Sequence, residues 1–237
     1  MRVGIAVFPG TWSDRDWAHA VALDGHEPVM LWHRDTDLQR SDLVVIPGGF
    51  SYGDHLRAGA IARFAPLMGA VADFARGGGM VLGSCNGFQV LCEAHLLPGA
   101  LLRNSSLQFR CQPQHVRVET AATPFTRLVE AGRILQLPIS HGEGCFVAEE
   151  ATLDELERED RVVFRYVRPD GSAVGETSPN GSLRDIAGIV DAGRTVLGLM
   201  PHPERACEPL LGGTDGLLLV RGVVAALERD GALVGGA

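Results

Sequence analysis

The stretch Gly77-Gly78-Gly79-Met80-Val81-Leu82-Gly83-Ser84-Cys85-Asn86-Gly87 decides how the rest of the chain is read. Met80-Val81-Leu82, entered from a glycine triplet, is a buried-strand run. Beyond it, Gly87 to His95 places Phe88, Leu91 and Cys92 at i, i+3 and i+4, the spacing of one helix face. A strand, a tight turn and a helix, with a nucleophile-capable residue at the apex between two glycines, make an elbow. The sharp turn forces strained backbone angles, so small flanking residues keep neighbouring chain clear. A thiol at the apex projects from a helix N-terminus, where free N–H groups and the dipole favour thiolate. Cysteine is also among the most buried residue types, so Gly-x-Cys-x-Gly alone fits packing as well as catalysis.

Upstream of the elbow, Val3 to Phe8, Pro28 to Leu31 and Leu43 to Ile46 read as short strands. Ser13 with Asp16 resembles a capping box opening a helix with Trp17, Ala20 and Val21 inward and Gly25 as its stop. Pro66 starts a second helix, with Leu67, Ala70, Val71 and Phe74 on one face, that ends at the glycine triplet. Strands alternating with helices predict a mostly parallel α/β sheet covered on both faces. Ligands in such sheets gather beyond the carboxyl ends of the strands, where Pro47-Gly48-Gly49 and Cys85 fall.

The second half changes character. Val116 to Glu119, Ile134 to Leu137, Val162 to Val167, Ile186 to Val190 and Val196 to Met200 read as strands. Pro169-Asp170-Gly171 and Ala192-Gly193-Arg194 are hairpin-like connections. Thr152 with Glu155 suggests one short capped helix. Thr214 caps a last one with Leu217, Val220, Val224 and Leu227 inward and Gly231 as its stop. No repeat, low-complexity tract or linker interrupts the chain, so residues 1–237 are expected to form a single domain.

Composition removes several functions. A net charge of −8 disfavours nucleic acid or an anionic membrane surface as the main partner. No apolar run approaches the length of a bilayer span, and the N-terminal strand is too brief for a signal peptide, so a cytoplasmic location is expected. Five cysteines without a C-x-x-C pair indicate neither a disulfide framework nor a zinc site. The chain has no lysine, so a Walker-type phosphate lysine, a Schiff-base lysine and a lysine nucleophile are all excluded. A reaction that uses ATP would need another chain to bind it.

Pro201-His202-Pro203-Glu204-Arg205 follows the last strand. Its prolines keep the segment stiff and extended, so residues i and i+2 project to the same side. Glu204 can then hold one imidazole nitrogen of His202 while the other faces a nucleophile, the triad logic in a Cys–His–Glu version. An isolated His-x-Glu is more often a solvated loop; the elbow in the same sheet reverses that preference. An acyl-transfer site also needs two N–H donors aimed at the developing oxyanion. The N–H of Asn86, next after Cys85, is one, and that of Gly49 is expected to be the other. Gln89, one turn into the elbow helix, is placed to hydrogen-bond an amide or a carboxylate. His141-Gly142-Glu143-Gly144 offers exposed backbone, although any tight loop would use the same residues.

Together Cys85, His202 and Glu204 resemble the class I, triad-type glutamine amidotransferases, and within them the glutaminase subunits of phosphoribosylformylglycinamidine synthases. The likeness rests on Pro47-Gly48-Gly49-Phe50-Ser51-Tyr52-Gly53-Asp54, Cys85-Asn86-Gly87-Phe88-Gln89, His141-Gly142-Glu143-Gly144, Pro179-Asn180-Gly181-Ser182 and Met200 to Arg205. It implies a flavodoxin-like α/β fold with a central, mostly parallel sheet and an antiparallel second half. It further implies Cys85 as nucleophile, His202 as general base and acid, Glu204 as its orienter, and glutamine contacts from Gln89 and the backbone near His141. L-Glutamine would be the substrate, and no cofactor or metal would sit on this chain. The implied partners are a large synthetase subunit holding ATP and magnesium and a small accessory subunit. The chain departs from the family pattern at Trp12-Ser13, where an Asn-Cys pair is usual, and at Ser84, where an aliphatic residue is usual. An amidotransferase of another pathway, a Cys-elbow hydrolase or peptidase, and a non-catalytic scaffold are the alternatives.

Overall fold

Runs of branched aliphatic residues between glycine and proline breaks become the strands of one nine-stranded sheet. The computed structural model describes residues 1–175 and 178–229, so the helix stop expected at Gly231 lies outside the described residues. In chain order the first half gives β1 (Arg2–Val7), α1 (Asp14–Leu23), β2 (Glu27–Trp32), β3 (Leu43–Ile46), α2 (Pro66–Arg76), β4 (Met80–Ser84) and α3 (Asn86–Glu93). The second half gives β5 (Ala100–Leu102), β6 (Arg110–Val118), β7 (Ile134–His141), β8 (Cys145–Val147), α4 (Glu150–Arg158), β9 (Val162–Val167), β10 (Ile186–Val190), β11 (Val196–Leu199) and α5 (Leu217–Arg229).

The strand order is β2-β1-β3-β4-β11-β10-β9-β6-β7, with β5 and β8 paired in a small separate sheet. From β2 to β11 every neighbour is parallel, and from β11 to β7 every neighbour is antiparallel. Four reversals of direction, an even number, therefore bring the end of β7 to the same rim as the ends of β1, β3, β4 and β11. Alternate strand residues serve opposite faces. Leu43 and Val45 pack with Trp17 and Val21 of α1 and Val220 and Val223 of α5. Val44 and Ile46 pack with Leu67 and Val71 of α2, Phe88 and Leu91 of α3, and Leu153 of α4.

Several local expectations need correction. Ser13 precedes α1, but its hydroxyl makes no cap bond; it is turned inward and buried without a partner among the described residues. Thr152 lies inside α4, which begins after Glu149, because acidic residues at 149 and 150 suit a helix N-terminus. In α5 the valine buried after Val220 is Val223, while Val224 is only half-buried. Strands β6 and β7 run longer than their apolar cores: β6 opens with polar residues that are largely exposed, and β7 continues through Ser140 to the buried His141. Pro113 is tolerated in β6 because β9 pairs only with His115 to Val118.

Candidate active site

The elbow forms where β4 meets α3. Ser84 is paired with Leu199 across the parallel β4–β11 ladder, and the Cys85 N–H donates to the Leu199 carbonyl at 2.8 Å. Cys85 itself has φ 52° and ψ −110°, the strained conformation the sequence calls for. The turn closes only because residue 87 is glycine: a Cβ there would lie 1.9 Å from the Ile46 carbonyl oxygen. Ser84 suits its buried place, since its hydroxyl accepts the indole N–H of Trp17 at 2.9 Å. The Cys85 thiol is 4% exposed and donates to the Ser140 carbonyl at 3.6 Å.

His202 reaches the same rim from the end of β11, where its N–H donates to the Pro138 carbonyl. Its Nδ1 lies 2.7 Å from Glu204 Oε1, and both side chains are buried. A carboxylate can only accept there, so Nδ1 bears the proton and Nε2 is left to face another group. Nε2 and the second carboxylate oxygen, Oε2, have no hydrogen-bond partner among the described residues. Burial opposes the charged imidazole, but the Glu204 carboxylate and then the Cys85 sulfur outweigh it and raise the His202 pKa. Gly48 threads between these groups. A Cβ at position 48 would lie 2.6 Å from His202 Cε1, 2.8 Å from Ser13 Oγ and 3.2 Å from Cys85 Cβ.

The two expected oxyanion donors are both available. The Trp12 and Ser13 N–H groups bond the Gly48 carbonyl, and the Phe50 N–H bonds the Gly10 carbonyl, which pins the turn after β3. Neither the Gly49 N–H nor the Asn86 N–H has an acceptor among the described residues. The Asn86 side chain braces the loop opposite: Oδ1 accepts from the Ser51 N–H at 3.1 Å, while Nδ2 donates to Gln89 Oε1 at 2.8 Å and Asp54 Oδ1 at 3.3 Å. Gln89 lines the cavity, and its amide is held at both ends, Nε2 donating to the Glu143 carbonyl at 2.6 Å.

His141 ends β7, but its imidazole is 3% exposed. Nε2 accepts from Asn180 Nδ2 at 3.1 Å, and burial, assisted by His202, pushes its pKa down to about 3. It is therefore a neutral packing group, and the loop it begins, through Glu143, forms the cavity wall. Two buried amides hold that loop. Asn104 donates to the His141 carbonyl at 2.9 Å and accepts the Gly144 N–H at 3.0 Å. Asn180 donates to the Gly144 carbonyl at 2.8 Å and accepts the Ser182 N–H at 3.0 Å. Sequence reading assigned neither a role; Pro179-Asn180-Gly181-Ser182 marked the second, and nothing marked the first.

Cys85 lies where two cavities meet. One, about 170 Å³, is lined by Asp54, Gln89 and His141 to Glu143. The other, about 270 Å³, lies toward Trp12, His202 and Arg205. Gly49, Phe50, Phe109 and Ser140 border both. No group of three or more His, Cys, Asp or Glu among the described residues could hold a metal ion. A nucleophile, an oriented base and two free N–H donors at one rim suit acyl transfer through a tetrahedral intermediate.

Residues 1–212 match the CobB/CobQ-like glutamine amidotransferase domain. The chain is 59% identical to the phosphoribosylformylglycinamidine synthase subunit PurQ of Rubrobacter xylanophilus, over 95% of this chain and 98% of that protein. It is 56% identical to the PurQ protein of Streptomyces avermitilis, over 91% and 93%. Among solved structures it is similar to a chain of PurLQS from Thermotoga maritima, with a TM-score of 0.84 and 40% identity over 95% of this chain and 98% of that one. A glutamine amidotransferase from Thermotoga maritima shares the fold at a TM-score of 0.55 and 16% identity, over 98% of this chain and 85% of that one.

Proposed function

The chain belongs to the CobB/CobQ-like glutamine amidotransferase family, and on that premise we propose that Cys85, His202 and Glu204 hydrolyse glutamine within its single domain. It is the glutaminase subunit of a phosphoribosylformylglycinamidine synthase, a reading supported by near-full-length identity to subunits of that name. Cys85 gives its proton to His202 and attacks the side-chain amide of glutamine. The Gly49 and Asn86 N–H groups hold the tetrahedral oxyanion. His202 then protonates the departing ammonia, leaving a glutamyl thioester that water, activated by the same imidazole, cleaves to glutamate. Glu204 keeps the tautomer and stabilises the imidazolium. The 2.7 Å His202–Glu204 contact, on the side of the imidazole away from Nε2, is the single observation on which this assignment leans most.

Ammonia passes to a large synthetase subunit, which holds ATP and magnesium and converts formylglycinamide ribonucleotide to its amidine; a small accessory subunit completes the complex. The absence of a phosphate-binding loop here accords with that division, and a cytoplasmic location accords with the pathway. In the reconstituted complex, Cys85→Ala abolishes glutamine-supported synthesis and leaves ammonia-supported synthesis intact. Loss of both activities would contradict the role given to Cys85.

A further inference from the structure

The loop that carries one oxyanion donor is tied to the molecule from two sides. Gly49 runs into Phe50 to Asp54, and among the described residues the hydrogen bonds that involve side chains tie this loop to two places. On one side Asn86 accepts the Ser51 N–H and donates to Asp54. On the other, the Tyr52 hydroxyl donates to His33 Nδ1 at 2.7 Å. His33 is a fixed point. It follows β2, its N–H donates to the Val7 carbonyl at the end of β1, and its carbonyl accepts from the Leu67 N–H in α2. Its side chain is buried, and its ring meets that of Tyr52 edge-on at 5.6 Å. Burial holds the imidazole below its ordinary pKa and the phenol above its own, so both groups are neutral.

Tyr52 itself is strained, with φ 54° and ψ 28°, and Gly53 and Asp54 after it also have positive φ. An aromatic residue stays in the left-handed region only where its surroundings hold it there. Neither His33 nor Tyr52 lines the two cavities that meet at Cys85, so the pair has no place in the chemistry itself. We propose that Tyr52, anchored on His33, is a positioning residue that fixes the aim of the Gly49 N–H, three residues earlier in the same loop, at the oxyanion. A donor helps the chemical step when it is already in place as charge develops, and a loosened loop must reorganise at that moment. The neutral amide of bound glutamine gains less from the same donor, so the pair acts on kcat and hardly on KM. The proposal rests on the glutaminase reading above and on Gly49 as a donor.

The test is a double-mutant cycle on the reconstituted complex, read as kcat and KM for glutamine. Tyr52→Phe removes the hydroxyl and keeps the ring. It should lower kcat by about 10-fold, a part of the 10²-fold or more that follows outright loss of an oxyanion donor, and leave KM within about twofold. His33→Phe removes the anchor and should lower kcat by a similar factor. The double variant should be no worse than either single one, since both break the same bond. His33→Asn, whose amide oxygen can take the place of Nδ1, should keep kcat within about threefold of the parent. Ammonia-supported synthesis should be unchanged in every variant. An unchanged kcat in Tyr52→Phe, losses that multiply in the double variant, a rise in KM at constant kcat, or His33→Asn as impaired as Tyr52→Phe would overturn the proposal. If His33→Phe does not assemble, Tyr52→Phe and His33→Asn decide by the same criteria. A parent complex inactive on glutamine would instead refute the glutaminase reading itself.

Discussion

The parallel and antiparallel halves of the sheet supply different things to one rim. The ends of β3, β4 and β11 deliver Gly48 and Gly49, Cys85 and Asn86, and His202 and Glu204, each within a few residues of its strand. The end of β7 delivers the cavity wall, held by Asn104 and Asn180, amides from loops far away in sequence that make several hydrogen bonds each. On the proposed mechanism, chemistry would sit on short extensions of parallel strands, whereas recognition would depend on a buried polar network whose members satisfy one another. If that contrast is right, damage to the first region should abolish turnover with little loss of stability, and damage to the second should weaken substrate binding and the fold together.

The largest expected effect is at Glu204. Glu204→Gln leaves an uncharged partner on Nδ1 and removes a charge that raises the His202 pKa. Steady-state kinetics should show kcat lower by roughly 10⁴-fold, the order seen when a triad carboxylate becomes an amide. Next, Gly48→Ala puts a methyl group 2.6 Å from His202 Cε1. Glutamine-supported turnover should fall by about 10²-fold, the cost of a displacement near 1 Å. Circular dichroism and the ammonia-supported rate should stay near those of the parent.

In the other region, Asn180→Ala leaves the Gly144 carbonyl and the Ser182 N–H without their amide partner. Denaturant unfolding should show a loss of about 2–3 kcal/mol, the cost of stranding buried polar groups, and KM for glutamine should rise more than kcat falls. A kcat loss as large as that of Glu204→Gln, with KM unchanged, would erase the distinction between the halves.

The smallest effect is a pH dependence. The folded-state pKa of His141 is depressed to about 3, so the unfolded chain binds this proton first. The stability it contributes is complete above the unfolded value near 6.5 and is lost as pH falls from there toward 3. The slope approaches about 1.4 kcal/mol per pH unit for one proton. His141→Gln should flatten the pH dependence of the urea midpoint between about pH 6 and pH 4, relative to the parent (a window set by that shift). Identical slopes would contradict a neutral, buried imidazole.

The same contrast explains what the sequence discloses. Gly83 to Gly87 can be read as an elbow because one strained turn, one thiol and its glycine neighbours are local in the chain. Pro201 to Glu204 is legible only in its residue types and spacing: its prolines predict an extended segment, whereas Pro203–Arg205 is a 3-10 turn, and that turn brings the Glu204 carboxylate to His202 Nδ1. The first-half strands are legible for a related reason: parallel strands covered on both faces are continuous apolar runs. In the second half, β6 shows residues such as Gln112 and Gln114, and its extent emerges only when β7 pairs with it. Asn104 carries no local signature, since its value lies in reaching Gly144, 40 residues away. Ser13 misleads because its spacing to Asp16 fits a capping box, while packing turns its hydroxyl toward Gly48. His141 misleads less, because the backbone it begins is indeed the cavity wall and only the imidazole lies behind it.

The most direct test of the shared rim is to quench the reconstituted complex in acid during glutamine turnover and map covalent adducts by peptide mass spectrometry. One glutamyl group should be found on the peptide containing Cys85, and none on any peptide of the Cys85→Ala complex. A glutamyl group at another residue, or continued ammonia release from glutamine by Cys85→Ala, would contradict a thioester formed at the elbow.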